Sequence, residues 1–193
     1  MRATEAFFFA TKPMNCIELV ISDHTILRRS LMVVDGMLKK LAAGQRIEIF
    51  DAATILKFLR LFGDQYHQVM EENVLFPALI RAAPNESALR QLVSEHGDER
   101  TLVCQIEEAL MSKRGMLFFR SSHQLTSMLR NHCEREEVVL GRLAECLSAE
   151  QHAAIVEEFM KNRAQVESYS NFSRLERKYA SVPVAVAAAA GGN

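Results

Sequence analysis

The sequence has no basic tract. Its 23 lysines and arginines are interspersed with 24 acidic residues, for a formal net charge of -1. Without a basic stripe or a polybasic block, neither a phosphate backbone nor a membrane surface finds a matching face, so nucleic acid and membranes are not expected partners. Cysteine pairs are missing too. Cys16, Cys104, Cys133 and Cys146 are scattered with no C-x-x-C, which argues against a zinc knuckle or a disulfide framework and for reduced thiols in a cytoplasmic protein. Long apolar runs are also lacking. The opening MRATEAFFFATKP carries a four-residue apolar patch with an acid and a proline, too short for a secretory core or a membrane span. Residues 1–13 are therefore expected to form a loosely attached arm. Glycine and proline are few, at 8 and 4 of 193 residues, and 49% of the chain is hydrophobic, enough for one domain with a core of its own.

Sustained period-two alternation is absent, whereas apolar residues recur at helical spacing almost throughout, so the chain reads as all-α. A first helix is expected from about Asn15 to Ala43, ending at Gly44. A second starts near Asp51, a good N-cap, and stops before Pro84. Asn85 opens the third, which fades around Gly115. The fourth covers roughly Met116 to Leu147, and Ser148-Ala-Glu-Gln151 is a capping-box pattern for a fifth running to about Tyr169. Short connections between long helices force antiparallel neighbours. The expected architecture is an up-down-up-down four-helix bundle over 14–147, an appended helix over 148–170 and a tail over 171–193.

Two stretches share one pattern: HQVMEENVLFP places His67 four residues before Glu71, and HCEREEVV places His132 four residues before Glu136. The first and third helices each offer a lone His, at His24 and His96, and each has an arginine four residues on, Arg28 and Arg100. Depth along the bundle can be counted. His24 lies 19 residues before Ala43, His67 16 after Asp51, His96 16 before Ser112, and His132 16 after Met116; Glu71 and His96 each lie 11 residues from the turn between Ala82 and Asn85. At about 1.5 Å per residue these six groups fall within roughly one turn of a common layer. The i, i+4 spacing sets each His and Glu on one helix face, and those faces are apolar. Six unpaired polar groups in a core would be very unfavourable, which a metal centre resolves. Four imidazoles and two carboxylates suit a pair of first-row ions, most naturally iron, with His24 and His67 on one, His96 and His132 on the other, and Glu71 and Glu136 shared. Open coordination positions are then available for an oxo or hydroxo bridge and for a small ligand such as dioxygen, peroxide or nitric oxide.

At these residues the chain resembles the hemerythrin-like, or hemerythrin HHE cation-binding, family over about 15–147. The resemblance rests on His24, HQVMEENVLFP, SEHGDER and HCEREEVV. It implies a non-haem di-iron four-helix bundle with His24, His67, Glu71, His96, His132 and Glu136 as ligands. Oxygen-carrying members have a second His one turn after the third-helix His, where this chain has Arg100. That departure is closer to branches linked to iron-sulfur repair, peroxide or nitric oxide handling, and iron or oxygen sensing. Expected roles are thus a di-iron protein reacting with small oxygen or nitrogen species in stress defence or iron-sulfur repair, or else an iron- or oxygen-sensing regulatory module or an oxygen-binding protein without turnover.

Other residues have two readings each. Arg28 and Arg100 are candidate partners for carboxylates near the site, or surface cations; Asp64 is a candidate acceptor for an imidazole, or a surface acid. Gly63 leaves room for a small ligand or marks a close helix crossing. Pro77 should kink or end regular helix. Tyr66 and Cys133 adjoin ligands but point aside, His123 faces away from the site, and His152 is expected in solvent. Ile155, Val156, Phe159, Met160 and Val166 form a rough stripe on the fifth helix, suited to covering the bundle or to a dimer contact, so the protein is expected to be a monomer or homodimer.

Overall fold

The structure is a computed structural model that describes residues 15–84, 86–163 and 171–180. Among these residues every regular element is helical, and no strand occurs. Helix α1 (Cys16–Ala42) is opened by Asn15, whose side chain accepts from the N–H groups of Ile17 and Glu18 while the Glu18 carboxylate accepts from the Asn15 N–H at 3.0 Å. This reciprocal cap fixes where the helix begins. It ends at Ala43, and Gly44 takes the left-handed conformation, φ 71°, that glycine adopts without strain.

The second bundle helix is uninterrupted over 49–82 but changes its winding. It consists of α2 (Ile49–Phe58), π-helical segments Leu59–Gln68 and Glu71–Leu75, and α3 (Phe76–Ala82). Pro77 sits in the first turn of α3 and the π-helical turn ends just before it. Proline has no N–H to give to the preceding turn, and the helix meets this with a wider turn in place of a break. The helix opens at Glu48, which makes no side-chain cap. The expected cap, Asp51, is instead buried and engaged elsewhere. Helix α4 (Ala88–Met111) and helix α5 (Gly115–Ala144) form the second hairpin; Asn85, the expected start of α4, lies outside the described residues. Apolar side chains from all four bundle helices, among them Leu27, Leu31, Leu75, Leu92, Ile106, Leu129 and Leu140, meet in one core.

Helix α6 (Ala149–Arg163) begins with the expected reciprocal cap between Ser148 and Gln151. It runs alongside α1: His152 Nδ1 lies 3.1 Å from Cys16 Sγ near its start, and Arg163 reaches Asp23 at its end. Ile155 and Phe159 are buried, and Met160 stays exposed. Of the expected helix end, 164–170, Val166 included, lies outside the described residues. His152, expected in solvent, is half-buried and also faces the Ala144 carbonyl at 3.2 Å.

Residues 171–180 correct the expected tail. They form α7 (Asn171–Leu175) and a π-helical turn, Glu176–Ala180, that bury Phe172, Leu175 and Tyr179 against α1 and α2. Phe172 stacks on Phe58 at 4.7 Å, and Arg29 makes paired hydrogen bonds to Glu176. Asp51 accepts from Arg174, Lys178 and the Tyr179 hydroxyl at 2.6, 2.6 and 2.8 Å. Burial alone would raise that carboxyl; the three donors hold it at about 2. The three apolar residues and the three donors repeat at helical spacing. In sequence they were overshadowed by the low-complexity residues that follow them.

Gly36 permits this packing, because a Cβ there would stand 2.0 Å from the Tyr179 carbonyl oxygen. Alanine normally favours a helix over glycine by about 1 kcal/mol. Here the overlap is expected to outweigh that gain, so that Gly36→Ala destabilises by roughly 1–3 kcal/mol in urea unfolding. A Gly36→Ala protein more stable than the parent would contradict the close approach of Tyr179.

Candidate metal centre

The long helices bring the six candidate residues into one layer. His24, Glu71, His96 and Glu136 are fully buried, and His67 and His132 nearly so. Single donor atoms of His24, His67, Glu71 and Glu136 all lie within 4.8 Å of one another, as do those of His96, His132 and Glu136. All four imidazoles turn Nε2 inward. The Glu136 Oε2 atom lies 3.1 Å from His24 Nε2 and 3.2 Å from His132 Nε2. Glu71 extends one oxygen to His67 Nε2 at 3.3 Å and the other to His96 Nε2 at 3.5 Å, so its carboxylate spans both groups. The Nε2 atoms of His96 and His132 face each other at 3.2 Å.

The Nδ1 atoms face outward, each toward a carboxylate on a different helix. His67 Nδ1 is 3.7 Å from Asp23, His96 Nδ1 2.8 Å from Glu72, His132 Nδ1 2.8 Å from Glu95, and His24 Nδ1 2.9 Å from Glu137. The pairing is cyclic: the first helix serves the second, the second the third, the third the fourth, and the fourth the first. Every outer acid is also a chain neighbour of an inner residue, as in Asp23-His24, Glu71-Glu72, Glu95-His96 and Glu136-Glu137. Arginines hold the outer acids in turn. Arg28 donates to Glu137 at 2.8 Å, Arg100 to Glu72 at 2.6 Å and to Asp64 at 2.8 Å; Arg135 lies 2.9 Å from Glu95, and Arg163 3.1 Å from Asp23.

At His24, His96 and His132 a carboxylate hydrogen-bonded to Nδ1 fixes that nitrogen as the proton-bearing one and leaves the Nε2 lone pair pointing inward, as metal-binding imidazoles require, whereas His67 Nδ1, at 3.7 Å from Asp23, is beyond hydrogen-bond distance. Both Glu71 oxygens, Glu136 Oε1 and His67 Nε2 are buried with no hydrogen-bond donor or acceptor. Buried carboxylate oxygens of this kind are a large unfavourable term unless a cation meets them. The donor set therefore fits a metal. A family model for the hemerythrin HHE cation binding domain matches residues 15–144. The chain belongs to that family. No curated protein and no solved structure gives a significant match.

The hemerythrin-like site shows the electrostatic conflict that a metal-binding protein builds in. Burial, then the nearby Glu136 and Asp23 carboxylates, raises Glu71 well above the usual carboxylate range. Burial works the same way on Glu136, yet hydrogen bonds from His132 and His24 hold it well below that range. Burial drives His96 down to about 4. It also acts against charge on His132, but hydrogen bonding to Glu136 carries that ring up to about 9. In the metal-free protein Glu71 thus favours its protonated form and Glu136 its ionised form, and a bound cation favours ionising both.

Several expectations about neighbouring residues resolve here. Arg28 and Arg100 do hold carboxylates beside the site. Asp64 does not touch an imidazole but accepts from Arg100. Tyr66 packs on Phe62 and Phe159, Cys133 is a buried thiol, and His123 is exposed. A Cβ on Gly63 would make ordinary contacts, 3.5 Å from Leu27 and 3.7 Å from the Glu99 carboxylate, so no close helix crossing demands glycine there.

Glu99 itself escaped the sequence reading. It lies three residues past His96, is buried, accepts from the Gln68 side-chain amide, and closes the inner end of a cavity of about 170 Å³ whose other walls include Arg60, Asp64, Arg100 and Cys104. Burial pushes its carboxyl from 4.5 up to about 7. A raised acid leaves the fold unpenalised below pH 4.5, penalises it increasingly up to about 7, and fully above that. Metal-free Glu99→Gln should therefore be more stable than the parent at pH 8, by up to about 3 kcal/mol, with the gap closing toward pH 5. Urea unfolding at the two pH values tests this, and an equal or inverted gap would contradict the buried acid.

Proposed function

We propose that this hemerythrin-like protein holds two iron ions between His24, His67, Glu71, His96, His132 and Glu136, and uses them to bind and react with small oxygen or nitrogen species. The observation that carries this is the convergence of four Nε2 atoms on two buried carboxylates, each of which reaches histidines of both groups. Mixed imidazole and carboxylate donors suit iron, and six donors shared by two ions leave positions for an external ligand. When bound, such a pair supplies Lewis acidity and shares a change of electrons with the ligand.

The chain's own residues prepare that chemistry. Glu72, Glu95 and Glu137 hold the Nδ1 protons of His96, His132 and His24 outward, and Asp23 faces His67 Nδ1 across 3.7 Å. Phe76, stacked 6.0 Å from the His96 ring, and the surrounding apolar side chains keep bulk water out. Glu99 can hold a proton at its carboxyl between the cavity and the His96 helix. Arg100 occupies the position of the extra His of oxygen carriers, and its guanidinium is turned to Glu72 and Asp64. It clamps Glu72, the carboxylate on His96 Nδ1, and offers no metal-binding nitrogen, which favours an open site that processes peroxide or nitric oxide over one that carries oxygen reversibly. A regulatory role, in which iron occupancy changes what the appended helix presents to a partner, is favoured by one contact, that of Arg163 on α6 with Asp23.

Anaerobic reconstitution with elemental analysis should give about two irons per chain. Glu71→Ala and Glu136→Ala should each lose the coupled pair, whereas His123→Ala, at an exposed position, should keep it. A reproducible single ion, or coupled spectra in both glutamate variants, would refute the assignment. The reduced protein should consume peroxide or nitric oxide in stopped flow and fail to cycle oxygen. Reversible oxygenation over many cycles, with no metal-dependent loss of peroxide or nitric oxide, is the opposing outcome.

A further inference from the structure

Three of the four imidazole–carboxylate pairs are clamped by an arginine on the histidine's own helix. Arg28 lies four residues after His24, Arg100 four after His96, and Arg135 three after His132. The second helix cannot follow this rule, since the corresponding positions after His67 are Met70 and Glu71, the latter an inner carboxylate. The cation for the Asp23–His67 pair comes from outside the four-helix bundle, from Arg163 on α6.

This pair is also the most deeply placed. The Asp23 side chain is 0% exposed, against 14–25% for Glu95, Glu72 and Glu137, and Arg163 is 11% exposed, against 32–47% for the other three arginines. A fully buried carboxylate depends strongly on its counter-charge, because solvent cannot replace it. Asp23 lies 3.7 Å from His67 Nδ1, beyond hydrogen-bond distance, whereas the other three carboxylates hydrogen-bond their Nδ1 atoms, so its position is the one most in need of a second anchor. Helix α6 has further anchors besides Arg163: Ile155 and Phe159 are buried, Phe159 meets the Tyr66 ring edge-on at 6.4 Å, and His152 meets Cys16.

We propose that Arg163 is a positioning residue of the metal centre: it fixes Asp23, Asp23 fixes His67, and seating of α6 is thereby linked to metal binding at the His67 side. The inference rests on the assignment of His67 as a ligand. Linkage is reciprocal, so the factor by which seated α6 tightens metal binding is the factor by which metal tightens α6. The appended helix then senses occupancy of the site while remaining part of the same fold.

Hydrogen exchange across 149–163 in metal-free and ferrous-loaded protein, with metal content measured on the same samples, tests both directions. In the parent, loading should slow exchange along α6. In Arg163→Gln that increment should vanish, and iron should pass to a chelator roughly 10-fold faster or more, the usual effect of losing an outer partner of a ligand. Arg163→Lys, which restores the charge, should recover part of both effects. Phe159→Leu, which loosens α6 by packing alone, should speed exchange generally yet keep the metal-dependent increment. A parent that binds no iron would overturn the ligand assignment and this inference with it. A parent that binds iron with no change in α6 exchange, or an Arg163→Gln protein that releases iron at the parent rate, would overturn this inference alone. The parent measurement decides the matter even if Arg163→Gln does not fold.

Discussion

Burying ionisable groups inside an apolar bundle is the constraint on which the rest of this structure depends. Two carboxylates and four imidazoles occupy the centre of the bundle, and none can turn to water. The response is layered. Inner carboxylates face Nε2 atoms, Nδ1 atoms face outer carboxylates, and outer carboxylates face arginines at the edge of solvent. Each outer carboxylate lies between an imidazole and an arginine, so its desolvation is offset by its neighbours. Because every outer acid sits on a different helix from its imidazole, the four helices are tied in a closed ring, and rotating any one would break two links at once.

The bundle and the clustering of His24, His67, Glu71, His96, His132 and Glu136 were legible in the sequence because both rest on simple periodicities. A three-to-four-residue apolar repeat sets the faces, and equal counts from the turns set the depth. The outer ring was not legible in the same way. Glu72, Glu95, Glu137 and Asp23 stand beside inner residues in the chain, which was visible, but each serves a histidine on another helix, and that depends on helix rotation that counting does not give. Arg163 lies further still from the pattern, on a helix outside the repeat. Glu99 has no partner residue at a telling spacing, and only its burial distinguishes it.

The two elements read least well, the second helix and residues 171–180, share a cause. Asp51 has the chemistry of a cap and was given that role, yet its carboxylate is taken by Arg174, Lys178 and Tyr179. Tertiary contacts overrode a local preference in both places: the helix starts ahead of Asp51, and the chain past 170 becomes helix because it has a buried carboxylate and the Phe58 ring to pack on. Within the same second helix, His67 and Glu71 lie in π-helical segments. Such wider turns recur where a side chain must be aimed off the regular α path.

The course of the C-terminal residues along α1 has a consequence for the order of assembly. Cys16 meets His152, Arg29 meets Glu176, and Asp51 meets Tyr179 across 136, 147 and 128 positions of chain. During synthesis α1 is therefore made well before the residues that cover it. The two hairpins can form from local contacts while one long side of α1 still waits for residues that have not left the ribosome, and contacts this distant in sequence are slow to close. For that interval the apolar side of α1 that these residues cover is only partly sheltered, a window in which a chaperone or a premature stop decides the fate of the chain.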